Sequence, residues 1–593
     1  MPTEVFEDTL DWECGTLEMV PTVSDLPPYP YPALRPTGRS QPTSLRVAIL
    51  ENDLVQATFA RDLGGRLLQL LDKRTGRRSL AIPTVLAPHA EGPRGAWLSA
   101  GLQWMTSGPN RPNAMGPVDF RPEPSDEDDE PGGLIFFELE SGTDLSLAVR
   151  WRLAPDRAVL QADVRIHNRG LVPAPYAGGF CLATGAAIVV PQANGVAIVD
   201  AVADAGYAVL APVGVFATMA QNQGDRAWFR RPEGPAGWLA PLEADAFSVV
   251  VVPFSGIGSP DAVTDTGAVS RAEDRLRVQL HRPMEGGRMF LLTAGDQTME
   301  APAPADPVTP LTIPLVGDLA GPKGFALRDA EGVDRLSWPV AATELPSPDP
   351  LFTPPPSSRA EVWAVALARL ARGEDPSAAL AQAEADPALR GPARLVAALA
   401  HLQCGDAEAA MTALDDALLR LGDDPMVWWL HAVATRRAGL LEDGAERADL
   451  LNAHFLSPLE PALRAEGFLA QSPLQGREPN ALVRPLAGHP EALSDVACRL
   501  LAAGLRDDAA RWLDEALRHG EAPLLRYLTA ASLVEGSRMR AEAALHVAAA
   551  AQCEWGPPFP WRVAERHAVR VLHAAFPHDL RLQRLAELIG PED

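Results

Sequence analysis

A repeat of prolines and glycines restricts the second half of the chain to stacked pairs of helices. Beyond residue 358, alanine, leucine, arginine and glutamate predominate, and apolar residues recur three and four positions apart, which indicates amphipathic helices. Residues that interrupt helices recur there at intervals of 32 to 34 positions, and they are Pro392, Pro425, Pro458, Pro490 and Pro523, with Gly373, Gly405 and Gly439. One helix pair cannot bury its own apolar face, so we expect the units to stack into a solenoid.

The unit from Ala393 to Pro425 shows the repeat most clearly. We predict a first helix that ends at Gly405, a second helix over residues 407–421, and a proline that opens the next unit. Gly504 begins a similar turn before another predicted helix. This unit resembles the tetratricopeptide repeat, a helix-turn-helix of about 34 residues. The resemblance predicts a tetratricopeptide-like (TPR-like) helical repeat domain over residues 359–593.

The preceding part of the chain has the pattern of a β-sandwich. Residues 45–342 contain short apolar stretches with period-two character, such as residues 145–151 and 160–166, and turn residues punctuate them. This rhythm predicts antiparallel strands in two packed sheets. A segment of roughly 300 residues favours one large sandwich over several small ones.

Two proline clusters mark the predicted borders of these domains. Proline lacks a backbone donor and restrains the residue before it, so the cluster at residues 27–32 predicts an extended arm over residues 1–44. The second cluster predicts a stiff linker over residues 343–358. The chain is therefore predicted to be multidomain, with strands first and helices after the linker.

The charge balance argues against two classes of partner. The chain has 77 acidic and 52 basic residues, for a formal net charge of −25. A charge of this sign repels phosphate backbones and anionic lipid headgroups. We therefore expect neither nucleic acid nor a membrane surface as a partner.

The cysteines and the N-terminal sequence favour a cytoplasmic location. The five cysteines are scattered without CxxC spacing, which predicts neither a zinc site nor a disulfide framework. The first residues are acidic and lack the basic and apolar regions of a signal peptide. No phosphate-binding loop, dinucleotide fingerprint or metal-binding histidine pair is recognisable either, so we expect no cofactor and no metal.

An aromatic and polar cluster near residue 100 is the strongest candidate for a site. Indole rings can stack on the CH groups of a sugar, while planar amides and guanidinium groups bind its hydroxyls. The residues predicted to bind a sugar in this way are Arg66, Trp97, Gln103, Trp104, Asn110 and Arg111. The same composition also fits a glycine-rich corner of the core in which the tryptophans are packed. Composition alone leaves both interpretations open.

The order of motifs in this region resembles that of a bacterial family, the domain of unknown function 5107. The motifs are Gly64-Gly65-Arg66 with Leu71-Asp72-Lys73, Trp97-Leu98-Ser99 before Gly101-Leu102-Gln103-Trp104, Arg111-Pro112, and Pro117-Val118-Asp119-Phe120. The resemblance implies a large galactose-mutarotase-like β-supersandwich followed by an α-helical, TPR-like solenoid. It also implies a role in carbohydrate processing.

Two departures from the family pattern bear on catalysis. The family usually has a glutamate where this chain has Gln103, and a pair of histidines where it has Pro109 and Asn110. Neither glutamine nor asparagine exchanges a proton near neutral pH. Asp119 is the remaining carboxylate best placed for a catalytic role.

Three hypotheses for function follow. The leading one is a cytoplasmic carbohydrate-recognising protein, weakly catalytic or non-catalytic, whose TPR-like solenoid binds a protein or peptide partner with basic residues. The first alternative is an active glycoside-processing enzyme, a hydrolase or an epimerase, that uses Asp119 with an unidentified acid. The second alternative is a non-catalytic protein–protein scaffold.

Overall fold

The computed structural model describes all of the chain except residues 1–2, 20–33, 81, 90–96, 109–110, 124–131, 186, 193, 212–216, 221–225, 231–236, 295, 305–306, 308–309, 317–318, 320–321, 340–359, 441–444, 472–478, 536–538, 554–558 and 591–593. Asn110 and both predicted proline clusters, at residues 27–32 and 343–358, thus lie outside the described residues.

Apart from short 3-10 helices such as Arg61–Leu63 and Pro112–Met115, strands account for the regular structure of the described residues up to position 338. In chain order they are β1 (Glu4–Met19), β2 (Leu34–Glu51), β3 (Val55–Ala60), β4 (Arg66–Asp72), β5 (Arg77–Leu80), β6 (Val85–Leu86), β7 (Pro88–His89), β8 (Trp97–Leu98), β9 (Leu102–Met105), β10 (Asp119–Glu123), β11 (Gly132–Glu140), β12 (Leu145–Leu153), β13 (Leu160–Asn168), β14 (Ala174–Pro175), β15 (Gly179–Ala183), β16 (Ile188–Gln192), β17 (Gly195–Asp200), β18 (Ala205–Leu210), β19 (Ala217–Ala220), β20 (Arg226–Arg230), β21 (Trp238–Leu239), β22 (Ala244–Ser255), β23 (Ala262–Val263), β24 (Gly267–Arg271), β25 (Arg275–Leu280), β26 (Arg288–Leu292), β27 (Thr298–Pro302), β28 (Leu311–Pro314), β29 (Gly324–Arg328) and β30 (Asp334–Trp338).

Two large sheets pack face to face, as the strand pattern predicted. The first has ten strands in the order β19-β20-β15-β9-β4-β3-β2-β1-β6, with β5 beside β4, and the second has eight in the order β10-β11-β12-β13-β22-β18-β17-β16. Aromatic rings fill the space between them. The ring centroid of Trp104 lies 5.7 Å from that of Trp151 and 6.4 Å from that of Phe180.

The predicted N-terminal arm is part of the first sheet. Strands β1 and β2 pair antiparallel from Glu4 opposite Glu51 to Met19 opposite Leu34, and β2 continues into the sheet through β3. Residues 4–19 contain no proline, so every one of them can contribute its backbone N–H to a ladder. The prediction of a separate arm over residues 1–44 was therefore wrong for the described residues of this segment, which belong to the sheet. The proline cluster at residues 27–32 does not prevent the residues on either side of it from forming strands.

The prediction of one sandwich over residues 45–342 needs a second correction. Strands β23 to β30 form two further four-stranded sheets. They enclose a separate core, which includes Val269, Val278, Phe325, Leu327 and Leu336, and no residue of this core belongs to the core between the large sheets. Each strand here is six residues or shorter, so this segment forms a smaller sandwich of its own.

Helices make up the regular structure of the described residues after position 359. They are α1 (Ala360–Ala371), α2 (Ser377–Ala383), α3 (Arg390–Gln403), α4 (Ala407–Leu421), α5 (Pro425–Arg437), α6 (Ala445–Leu456), α7 (Pro461–Leu469), α8 (Pro479–Val483), α9 (Pro490–Ala502), α10 (Arg506–His519), α11 (Pro523–Glu535), α12 (Arg540–Gln552), α13 (Val563–Ala575) and α14 (Leu580–Ile589). None of these helices is long and apolar enough, over the described residues, to span a membrane. The predicted order of strands and then helices is confirmed.

The repeat markers lie where a helical hairpin requires them. Gly405, Gly439 and Gly504 follow α3, α5 and α9, and their φ angles of +80°, +78° and +75° belong to the left-handed region that favours glycine. Pro425 and Pro490 occupy the first turn of α5 and α9, where a missing N–H costs no hydrogen bond.

The helical repeats curve enough for distant units to touch. The Gln403 side chain at the end of α3 donates to the carbonyl of Ala502 at the end of α9, at 2.7 Å. Arg436 of α5 also pairs with Asp508 of α10, at 2.9 Å.

The outer face of the eight-stranded sheet packs against the N-terminal ends of alternate helices. The His167 ring pairs with Asp424, the residue before α5, at 2.7 Å. The Arg169 guanidinium binds Glu460, the residue before α7, at 3.0 Å through Nε, and Asp495 of α9 at 2.9 Å. Arg169 is fully buried, so the two domains share a closed polar interface.

Candidate functional site

A cavity of about 250 Å³ lies at this interface, between β10, β11 and the helical repeats. Its walls come from both domains. Residues from the sandwich and from the helices line it, and they are Asn113, Pro117, Asp119, Phe137, Glu138, Leu139, Pro461, Leu486, Gly488, His489, Pro490, Glu491 and Ala492. Over the described part of the chain, no group of three or more His, Cys, Asp or Glu residues could hold a metal ion.

Asp119, the predicted catalytic residue, lies on the wall of this cavity. It begins β10 and pairs in register with Phe137 of β11, so both side chains project toward the helices. Its Oδ1 accepts a hydrogen bond from the backbone N–H of Phe120 at 2.8 Å, and its Oδ2 lies 2.6 Å from Nη1 of Arg464 on α7. The carboxylate is thus fixed by its own strand and by the opposite domain.

His489 comes to the same cavity from the helical domain. Burial lowers the pKa of its imidazole, and this outweighs the nearby charge of Asp119, which acts in the opposite direction. The ring is therefore neutral near pH 7, and a neutral imidazole has one hydrogen-bond donor and one acceptor.

The first turn of α9 faces the cavity without a side-chain cap. His489 occupies the N-cap position, but its side chain accepts no hydrogen bond from the helix. Pro490 has no N–H, while Glu491 and Ala492, which follow it, both line the cavity. The backbone N–H groups at the start of a helix need an acceptor from outside the helix, so this turn favours a ligand oxygen.

Arg111 supports the cavity from behind. Its Nη1 lies 2.7 Å from Oε2 of Glu138, and its Nη2 donates to the carbonyl of Gly64 at 2.8 Å. Alternation along β11 turns Glu138 to the face opposite Phe137, toward Arg111. A Cβ at Gly64 would lie 2.6 Å from Nη2 of Arg111, so only glycine leaves room for this guanidinium.

A second buried carboxylate lies two residues farther along the same strand. Glu140 accepts hydrogen bonds from the hydroxyls of Thr106 at 2.7 Å and Ser107 at 2.6 Å. Burial raises the pKa of Glu140, although these hydroxyls and Arg111 act against it. These contacts join the two sheets at this end of the sandwich.

Arg66 and Gln103 form a separate buried cluster on the outer face of the ten-stranded sheet, where Trp97 is also buried. Arg66 Nη1 donates to the carbonyls of Leu98 at 2.8 Å and Ala100 at 2.7 Å, and Nη2 donates to Oε1 of Gln103. Burial and, secondarily, the charge of Arg111 lower the pKa of Arg66 to about 9. This cluster fixes the loop before β9, and none of Arg66, Gln103 and Trp97 lines the cavity.

Trp104 projects to the opposite side of β9, into the core between the sheets. Gln103 pairs with Cys181 and Trp104 pairs with Phe180, so the alternation along β9 sends the two side chains to opposite faces. Trp104 is 2% exposed. Of the predicted site residues, the structure thus brings Asp119 to the cavity and Arg111 directly behind it, and it places Arg66, Trp97, Gln103 and Trp104 elsewhere.

Sequence reasoning missed the contributions of the helical domain. Arg464, His489 and Glu491 are more than 340 positions from Asp119, and no sequence motif links them to it. Glu138 and Glu140 did carry a signal, because they are acidic residues within an otherwise apolar strand.

A comparison with family models matches the segment around Asp119. Residues 24–191 match the domain of unknown function DUF5107. The resemblance predicted from the motifs between Gly64 and Phe120 is thereby confirmed for this segment. The DUF5107 segment contains Arg111, Asp119 and Glu138, whereas His489 and Glu491 lie outside it.

Solved structures with detectable similarity include proteins of both expected kinds. A TPR-domain-containing protein from Parabacteroides distasonis is 13% identical, with 97% of this chain and 96% of that chain covered and a TM-score of 0.31. A galactose mutarotase-like protein from Clostridium acetobutylicum is 9% identical, with 35% and 95% covered and a TM-score of 0.24. A putative aldose 1-epimerase from Klebsiella pneumoniae is 10% identical, with 42% and 92% covered and a TM-score of 0.28.

Proposed function

We propose that this protein binds a carbohydrate in the cavity between the sandwich and the helical repeats. One observation carries the proposal: the Asp119 carboxylate, the neutral His489 imidazole and the uncapped first turn of α9 share one cavity, which apolar side chains also line. A sugar hydroxyl both donates and accepts hydrogen bonds, so it can bind a carboxylate and a backbone N–H together. The CH groups of the sugar would pack against Phe137 and the prolines.

We further propose that binding occurs without efficient catalysis. Acid–base catalysis needs one group that donates a proton and another that accepts it. Asp119 and the neutral His489 can both accept a proton, but neither supplies the acid that the second role requires. We therefore expect very low turnover of simple sugars and aryl glycosides.

A glycoside-processing enzyme is the alternative that the same cavity favours. Asp119 and His489 come from different domains to one cavity, which is the juxtaposition that a two-residue acid–base mechanism needs. Robust turnover that Asp119→Asn abolishes would establish this alternative and overturn the non-catalytic proposal.

The helical repeats are proposed to bind a protein or peptide partner away from the sandwich. The N-terminal ends of α5, α7 and α9 already contact the eight-stranded sheet. The exposed side chains of Leu419 on α4 and Phe455 on α6 lie on helices other than those three. We also propose a cytoplasmic location, since all five cysteines are free thiols.

Calorimetric titration of the full chain with a panel of monosaccharides and disaccharides tests carbohydrate binding. His489→Ala removes a hydrogen-bonding group from the cavity, and we expect a loss of affinity of about 1 kcal/mol, or roughly fivefold. His567→Ala is the matched control, because His567 is an exposed histidine on α13. A chain that binds no member of the panel, or a His489→Ala variant that binds as the parent does, would contradict the proposal.

A further inference from the structure

We infer that the cavity takes sugars without an anionic group and excludes sugar acids and sugar phosphates. This inference rests on the proposed function and specifies the class of ligand for the same cavity. It depends on which charged groups reach the cavity and which are already paired.

The charged side chains that face the cavity are acidic. Asp119 comes from β10 and Glu491 from the first turn of α9, so each domain contributes a carboxylate to the cavity wall. No lysine or arginine occurs among the described residues that line it. A carboxylate or phosphate on the ligand would therefore lie beside side chains that carry a charge of the same sign, which is unfavourable.

The arginines near the cavity are committed to other groups. Arg46 and Arg61, whose charges reach His489, pair with Asp62 and Glu7. Arg464 binds Asp119 at 2.6 Å, and its side chain is 7% exposed. Arg111 binds Glu138 at 2.7 Å, and its side chain is fully buried. An anionic ligand would have to displace a buried carboxylate from its partner before it could use the guanidinium of Arg464 or Arg111, and this would leave that carboxylate unpaired.

The N-terminus of α9 does not reverse this preference. The positive end of a helix attracts anions, but only within its first turn and by a modest amount. Glu491 already places a carboxylate in that turn, and Asp119 lies close to His489 at the N-cap. The N–H groups of the turn therefore remain suited to neutral hydroxyl oxygens.

Titration of the full chain with matched pairs of sugars tests the inference. Glucose and glucuronate, and galactose and galacturonate, differ only at C6, and glucose 6-phosphate adds a dianionic case. Neutral sugars are expected to bind at least tenfold more tightly than their acidic counterparts. Equal or tighter binding of the acidic members would overturn the inference and leave carbohydrate binding intact, whereas no binding of any member would overturn the proposed function itself.

Two substitutions test whether the preference for neutral over acidic sugars depends on Asp119 and Glu491. Asp119→Asn keeps the side-chain shape but removes the partner of Arg464, so the affinity for glucuronate relative to glucose is expected to rise at least tenfold. Glu491→Gln removes the second carboxylate without disturbing that ion pair, and the ratio is expected to rise several-fold. Glu587→Gln on the exposed face of α14 is the control and is expected to leave the ratio unchanged. An unchanged ratio in Glu491→Gln would overturn the assignment even if Asp119→Asn failed to fold.

Discussion

Arg464 on α7 and Asp119 on β10 form a buried ion pair, at 2.6 Å, that joins the helical repeats to the edge of the eight-stranded sheet. The side chains are 7% and 10% exposed, so water screens neither charge effectively. The pair holds Asp119 in the cavity wall and fixes the distance between the two domains at that point.

Removal of one member of this pair should cost much more stability than removal of both. Arg464→Met leaves Asp119 as an unpaired carboxylate at the interface, and we expect a loss of about 3 kcal/mol in the free energy of unfolding. Arg464→Met combined with Asp119→Asn should recover most of that loss. Denaturant unfolding of the two single variants and the double variant measures the coupling. Additive effects of the two substitutions would contradict a direct ion pair.

Arg169 is expected to be the most sensitive charged residue of the interface. It is fully buried and pairs with Glu460 and Asp495, so Arg169→Met leaves Glu460 without this cation, while Asp495 keeps Arg499 and Arg562. We expect a loss of about 3–5 kcal/mol in the free energy of unfolding. Arg275→Met, at an exposed pair on β25, is the matched control and should change stability by less than about 1 kcal/mol. Similar losses in the two variants would show that the domains do not depend on this contact.

His281 should make the folded state sensitive to acid. Burial, followed by the charge of Arg74, lowers the pKa of His281 to about 3 in the folded chain. Its folded pKa lies below the unfolded value of about 6.5, so the unfolded state binds the proton first and stability falls as the pH drops from about 6.5 toward 3.

His281→Asn removes this proton uptake. The variant should lose stability less steeply than the parent between pH 6.5 and pH 4, whatever its stability at pH 7. Thermal unfolding across that pH range provides the measurement, with His567→Asn as the control at an exposed position. Parallel pH profiles for the parent and His281→Asn would contradict the prediction.

Trp104 should act through stability and not through ligand contact. Its indole packs against Trp151, Phe180 and Phe247 between the sheets. Trp104→Ala removes this packing and should cost about 3–5 kcal/mol in the free energy of unfolding. Sugar affinity per mole of folded protein should remain that of the parent. A stable Trp104→Ala variant that has lost sugar binding would contradict this prediction and show that Trp104 contacts the sugar.

The helical repeats could be predicted closely because their signal is local. The turn at Gly405 and the helix over residues 407–421 depend on residues within one unit, and α4 has the predicted bounds. The β-rich segment was harder to predict. A period-two pattern identifies strands but not the sheet that each one joins, so the separate sandwich of β23 to β30 could not be distinguished from the larger one.

The candidate site was only partly predictable, for two physical reasons. Gln103 and Trp104 are neighbours in the sequence, but alternation along β9 sends them to opposite faces, and nothing in the composition indicates which face packs between the two sheets. His489 reaches Asp119 only because the two domains dock. That docking depends on distant pairs such as Arg169 with Glu460, which leave no local pattern.

The contact between Gln403 and Ala502 gives the helical repeats an unusual mechanical character. In stacked helix pairs that touch only their neighbours, each interface between units can open independently of the others. Here a hydrogen bond from the end of α3 to the end of α9, and the pair between Arg436 and Asp508, tie turns of the coil to one another. Under tension, the units from α3 to α10 should therefore keep a fixed curvature until these ties break.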